Sequence, residues 1–172
     1  MPRYVALLRG VSPMNLKMAD LKRSLEAAGF TNVKTLLSSG NVAFDARKAA
    51  EETLSKKVEA ALTKTLKKSF LTIVRSQEAL NKMLEADPYK KFKLPKESKK
   101  VVTFLQDSPR VTLKLPIHLE NASILAYDGH EVFSSYVPDP KKGPIFMSLL
   151  EKTFGKNITT RTLETVRKCG AA

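Results

Sequence analysis

Cysteine occurs once in these 172 residues, at Cys169, histidine twice and tryptophan never. A single cysteine excludes an intrachain disulfide and the stapled folds that depend on one. It fits a reducing compartment, and a cytoplasmic protein is expected. His118 and His130 have no ligand spacing to each other or to Cys169, so no metal centre is expected. His130, beside Gly129, reads as a solvated turn residue, and His118 follows Pro116 in a segment of undefined type. No apolar run approaches the ~18 residues of a spanning helix, and the N-terminus shows no basic leader followed by an apolar run. No membrane partner is therefore expected.

Glycine-rich phosphate motifs are missing as well. There is neither a G-x-G-x-x-G nor a Walker-type run, and Gly155-Lys156-Asn157 is too short to cradle a phosphate. Ser38 and Ser39 precede Gly40 without the G-x-S-x-G of a nucleophile elbow. No cofactor is expected, and no catalytic residue can be named. Acidic charge is also scarce: 17 Asp plus Glu against 30 Lys plus Arg leave a formal charge of +13. Such an excess attracts polyanions and anionic metabolites, or simply aids solubility.

What is present is globular. Hydrophobic residues make up 42% of the chain and charged residues 27%, which suits one domain or two small subdomains. Tyr4 to Leu8 is a short apolar run ended by Gly10 and reads as a strand; Met18, Leu21 and Leu25 mark a helix stopped by Gly29. A strand over residues 33–38, a Gly40-Asn41 turn and Val42-Ala43-Phe44 form a hairpin. Ala50, Leu54, Val58, Leu62 and Leu66 recur every four residues in a helix expected over 47–66, before a strand over 70–74.

The order β-α-β-β-α-β is the ferredoxin-like arrangement. The second half repeats it less clearly. Ser76 caps a helix over 77–86, and strands are expected over 100–105, 123–126 and 131–136. Pro109 could open a short helix. A helix over 145–154, a short strand over 157–160 and a terminal helix capped by Thr162 complete the chain. The expected fold is α+β: two packed ferredoxin-like subdomains with antiparallel sheets, residues 1–76 and residues 77–172, the second led by a helix.

The candidate site residues bind anions. Arg9 ends a buried strand at a loop, where a guanidinium suits bidentate pairing with phosphate or carboxylate; a salt bridge to Asp20 or a loop carbonyl is the alternative. Ser39 and Asn41 flank the turn glycine, and Asn41 either meets a ligand or shapes the turn. Arg161 lies among Thr159, Thr160, Thr162 and Thr165, a group suited to an anion or to capping. Lys90, Lys91, Lys93, Lys96, Lys99 and Lys100 form the densest basic run, with Tyr89 and Phe92 interleaved. That run suits sequence-independent contact with nucleic acid, or solubility.

Leu8-Arg9-Gly10, Met18, Leu21, Gly29-Phe30, Val33, Thr35, Ser39-Gly40-Asn41-Val42 and Phe44 together resemble the domain-of-unknown-function 1697 family of small bacterial proteins. Thr159 to Val166 corresponds to that family's C-terminal Thr-x-Arg-Asn-Trp-Asn-Thr-Val. The resemblance implies two ferredoxin-like subdomains and carries no activity. Val11-Ser12-Pro13-Met14-Asn15 replaces the family's Asn-Val-Gly-Gly stretch, and Thr162-Leu163-Glu164 replaces Asn-Trp-Asn. The functional expectation is a noncatalytic binding protein for an anionic partner, a phosphate-bearing ligand or nucleic acid, acting as a monomer or homodimer. The alternatives are a small-molecule enzyme with a subdomain-interface site using Arg9, Asn41 and Arg161, and a structural or homo-oligomeric module.

Overall fold

The computed structural model describes residues 1–107, 114–141 and 146–172. The helix that Pro109 could open, and residue 145 at the start of the helix expected over 145–154, lie outside them. The chain is α+β, with two antiparallel sheets. It divides into two compact units, Met1–Lys82 with Arg167–Ala172, and Met83–Val166.

The first unit runs β1 (Arg3–Leu8), α1 (Met18–Ala27), β2 (Thr31–Leu36), β3 (Asn41–Asp45), α2 (Glu51–Leu66) and β4 (Thr72–Ser76), with sheet order β2-β3-β1-β4. The strands alternate as a pleat demands. Tyr4, Ala6 and Leu8 of β1, Val42 and Phe44 of β3 and Val74 of β4 join Leu21, Leu25, Leu54, Val58 and Leu62 of the helices in one core. Fully burying each Leu or Phe there contributes roughly 1.5–3 kcal/mol. The alternate residues Val5, Leu7, Asn41, Ala43, Ile73 and Arg75 are buried too, so both faces of this sheet are covered.

The hairpin turn occupies residues 37–40, and Asn41 is the first residue of β3 rather than part of the turn. Leu37 (φ 59°) and Gly40 (φ 84°) supply the left-handed positions that close it. α2 begins at Glu51, four residues after the expected start, because Ala50 is extended and Ala49 N donates to Tyr4 Oη at 3.2 Å.

β4 is an edge strand, and it starts at Thr72 rather than near residue 70. Its outward amides are taken by one stripe of α2. Thr72 N donates to Glu59 Oε1 at 3.0 Å, Val74 N to Ser55 Oγ at 3.0 Å and Ser76 N to Glu51 Oε2 at 2.7 Å. Four helical residues rise about 6.0 Å and two strand residues about 6.6 Å, so the two ladders match over three rungs. An edge that would otherwise offer bare donors is thereby occupied.

The second unit holds β5 (Lys99–Leu105), β6 (Ile117–His118), β7 (Ala122–Tyr127), β8 (Glu131–Tyr136), α4 (Phe146–Phe154) and β9 (Ile158–Thr162), with sheet order β6-β7-β8-β5-β9. The order β7-β8-β5-β9 repeats that of the first sheet, with β6 added at the edge. Val101, Leu105, Ile124, Val132, Phe146, Leu150 and Ile158 form its core. Helices α3 (Gln77–Ala86) and α5 (Leu163–Ala171) each cross a unit boundary. Their N-caps are as the sequence implies: Ser76 Oγ accepts from Ala79 N at 3.1 Å and Thr162 Oγ1 from Thr165 N at 3.3 Å.

The end of α5 is tied into the first unit. Gln77 Nε2 donates to the Ala172 main-chain oxygen at 2.7 Å, and Asn81 Nδ2 to that of Gly170 at 3.1 Å. Arg3 Nε reaches the same Ala172 oxygen at 2.9 Å while its Nη1 donates to Asp45 Oδ1 at 2.8 Å. Asn32, at φ 49°, donates to Asp45 Oδ2 at 2.6 Å.

Two outcomes follow from these contacts. Ser55→Ala strands the buried Val74 amide and should lower unfolding stability by about 1–3 kcal/mol, whereas Ser55→Thr, which keeps an acceptor, should cost less; urea denaturation of both measures it. The Asp45 carboxyl is held below its ordinary value of 3.8, first by Asn32 and then by Arg3. A depressed carboxylate stabilises fully above its unfolded pKa of about 3.9 and loses that contribution as pH falls through the folded value. Asp45→Asn should therefore melt below the parent at pH 7, with the gap narrowing below about pH 4.

Candidate functional site

Arg9 lies at the exit of β1, where the backbone is fixed on both sides. Leu8 N donates to Gly40 O at 2.9 Å and Arg9 N to Leu71 O at 2.8 Å. The chain then turns through Gly10 at φ 74°. The following loop is closed by one side chain: Asn15 Oδ1 accepts from Ser12 N at 2.8 Å, and Asn15 Nδ2 donates to Gly10 O at 2.7 Å. In the sequence Asn15 stands out only as part of the Val11–Asn15 departure, which does not announce this role. Its signal is local, an Asn three residues after a Ser in a Gly/Pro loop, the setting of side-chain-to-backbone turns.

The loop lies against the β2–β3 turn. A Cβ built on Gly40 would sit 3.0 Å from Val11 Cβ and 3.1 Å from Leu8 Cβ. Arg9 and Ser39, half-buried and exposed respectively, thus belong to neighbouring segments of one end of the first sheet. Asn41 is fully buried and donates from Nδ2 to Leu36 O at 3.1 Å and to Ser39 Oγ at 2.9 Å. Those bonds shape the turn. Asp20, the alternative partner named for Arg9, is engaged by Arg23.

Arg161 belongs to β9 of the second unit. It is 9% exposed and donates from Nη1 to Thr159 Oγ1 at 2.7 Å and to Thr160 O at 3.0 Å. The lysine run splits by environment. Lys90, Lys91, Lys93, Lys96 and Lys99 are exposed and Lys100 is half-buried. Tyr89 is a core residue: it is buried, packs edge-on against Phe133, and donates its hydroxyl to Val101 O at 2.5 Å. Burial pushes that hydroxyl's pKa up. One of the two aromatics interleaved with the lysines is therefore withheld from any stacking partner, while Phe92 sits under Lys91 at 5.4 Å.

His118 Nδ1 meets Ser123 Oγ at 2.9 Å across the β6–β7 pair, and His130 is exposed at the turn. Among the described residues no three His, Cys, Asp or Glu side chains gather as a metal site, and no helix is long and apolar enough to cross a membrane.

Residues 1–133 match the model of the family described as "Protein of unknown function (DUF1697)". The chain belongs to that family. The matched span holds the Arg9 loop and the Ser39–Asn41 segment, whereas Arg161 and its threonines lie beyond it. A solved structure, "The structure of conserved bacterial protein SP0830 from Streptococcus pneumoniae", is similar at a TM-score of 0.68 and 22% identity, over 99% of this chain and 97% of that one. At that identity the likeness speaks for the fold. Among curated proteins, none matches.

The close approach at Gly40 gives a graded outcome. Gly40→Ala meets both an unfavourable φ and two side chains, and should destabilise by about 2–4 kcal/mol. Gly10→Ala, with nothing within 4 Å of its added carbon, should cost only the ~1–2 kcal/mol of the left-handed backbone. Paired urea unfolding curves separate the two.

Proposed function

We propose that this DUF1697 protein binds a small anionic molecule, with Arg9 as its anion contact and the Ser39 hydroxyl beside it. The observation that carries this reading is the scaffolding of Arg9. Its own amide and that of Leu8 are bonded to two different strand-end segments, and the loop after it is closed by Asn15. A guanidinium on so fixed a backbone loses little further freedom when it pairs bidentately with phosphate or carboxylate. The net charge of +13 favours the same ligand class.

A small molecule is favoured over nucleic acid. Tyr89 is buried, so the lysine run offers charge with little base-stacking surface. The second reading is a small-molecule enzyme that uses Arg9, Asn41 and Arg161; the polar side chains of Asn41 and Arg161, held by neighbouring protein groups, are the observation that favours it. We also read both units as ferredoxin-like subdomains, the second led by α3 and extended by β6, in a cytoplasmic monomer or homodimer.

The test is calorimetric titration with pyrophosphate of the parent, Arg9→Met and Arg9→Lys, beside fluorescence anisotropy with single- and double-stranded DNA and RNA at two salt concentrations. Pyrophosphate should bind the parent. Arg9→Met should weaken it tenfold or more, about 1.4 kcal/mol, and Arg9→Lys should recover part of the loss. Undiminished binding by Arg9→Met would overturn the reading. So would salt-dependent nucleic-acid binding that is lost when Lys90, Lys91 and Lys93 become Gln.

A further inference from the structure

The first unit carries a cavity of about 940 Å³ away from the Arg9 loop, between α1, α2 and the segment joining β3 to α2. Its volume is that of a small-molecule site. Sixteen residues line it, six of them alanine, four basic and none acidic. Phe30, Ala46, Leu54 and Ala61, all buried, form an apolar floor, and the exposed Ala27, Ala28 and Ala60 give low walls. Arg47, Lys48, Lys57 and Lys64 stand around it, exposed, and none is in an ion pair among the described residues.

This charge pattern follows from the way α2 is held. Glu51 and Glu59 are turned to the β4 amides, and Glu52 pairs with Lys56. The lysines at 57 and 64, about two turns apart, are left on the cavity side. The result is an apolar floor ringed by cations.

We propose that this cavity binds a small anionic amphiphile, an apolar body with one carboxylate, sulfonate or phosphate head. The floor takes the apolar body, and the four cations hold the head at the mouth by charge. A docked acidic helix fits less well. α1 contributes only Ser24 and Ala27, followed by Ala28 and Gly29, a wall of about one turn, whereas helix-in-groove binding uses anchors over at least two. The proposal is independent of Arg9, so Arg9→Met leaves it untouched.

The probe is 8-anilinonaphthalene-1-sulfonate, followed by fluorescence on the full chain and displaced by dodecanoate or dodecyltrimethylammonium below their micelle concentrations, or by dodecanol below its solubility limit. Dodecanoate should displace the probe at least tenfold better than dodecanol, and the cationic chain worst. Ala60→Trp, at an exposed helix position where folding is easily kept, should fill the cavity and reduce probe affinity tenfold or more. The double variant Lys57→Glu/Lys64→Glu should abolish the preference for dodecanoate while weak dodecanol binding persists. Circular dichroism melts confirm that each variant is folded. Unchanged probe binding in Ala60→Trp overturns the site, and equal displacement by dodecanoate and dodecanol overturns its anionic selectivity. Sedimentation with anionic phospholipid vesicles supplies the last arm: vesicle binding lost in the lysine variant, with no displacement by dodecanoate, would assign the surface to a membrane headgroup and overturn the free-ligand proposal.

Discussion

The three-rung ladder between α2 and the edge of β4 sets the geometry of the first unit. Glu51, Ser55 and Glu59 each receive a strand amide that the sheet itself cannot satisfy. An unmet buried donor costs about 1–3 kcal/mol, so the ladder fixes both the rotation and the axial position of the helix. With that stripe committed to β4, Leu54, Val58 and Leu62 are directed into the core, and Ala60, Ala61, Lys57 and Lys64 toward the far side. A rotation by one residue would lose all three bonds and bury a lysine. The hydrophobic seam alone tolerates more freedom, since apolar contact is non-directional.

The first unit was largely legible in the sequence because its signals are local. The period-four seam of α2, Gly29 after α1 and the motif Ser39-Gly40-Asn41-Val42 specify elements without reference to anything distant. The order β2-β3-β1-β4 then follows from one hairpin and two helical crossings. The boundaries that moved were those set by partners far along the chain. β4 begins at Thr72 because its rungs sit on α2, and α2 begins at Glu51 because Tyr4 holds Ala49. Neither Glu51 nor Glu59 differs in sequence from a solvated helix glutamate.

The site residues were legible as types and illegible as roles. Arg9 was marked by its place at a strand end, and the structure supplies the fixed backbone beneath it. Asn41 carried two readings, and its side chain bonds to Leu36 O and Ser39 Oγ across the turn. Tyr89 looked like part of a basic surface run, yet its hydroxyl satisfies the carbonyl of Val101. Asn15 is hard to read from sequence because its role lies in two bonds to the backbone of its own loop. Its side chain orders with two hydrogen bonds a loop that glycines would have shaped by backbone freedom. The loop beside Arg9 is therefore held by a side chain where the resemblance implies glycines.

The same logic bears on how the +13 charge, fixed by composition, is distributed. Five of the 17 acidic groups serve the backbone: Glu51 and Glu59 at β4, Asp87 at Tyr89 N, Asp128 at the amides of His130 and Glu131, and Asp139 at Lys141 N. A carboxylate used as a local acceptor is poorly placed to neutralise a distant ammonium. Positive charge thus stands out wherever the fold has already assigned its acids, on the outer side of α2 and along the Lys90–Lys100 segment. The composition sets the sign of the net charge, and hydrogen-bond demand bears on where on the surface it collects. An exposed lysine run beside a buried tyrosine is charge over a closed surface. A lysine rim around an apolar cavity couples charge to a place where an apolar group can leave water, and burial at about 25 cal/mol per Å² then adds to an attraction that salt alone would screen.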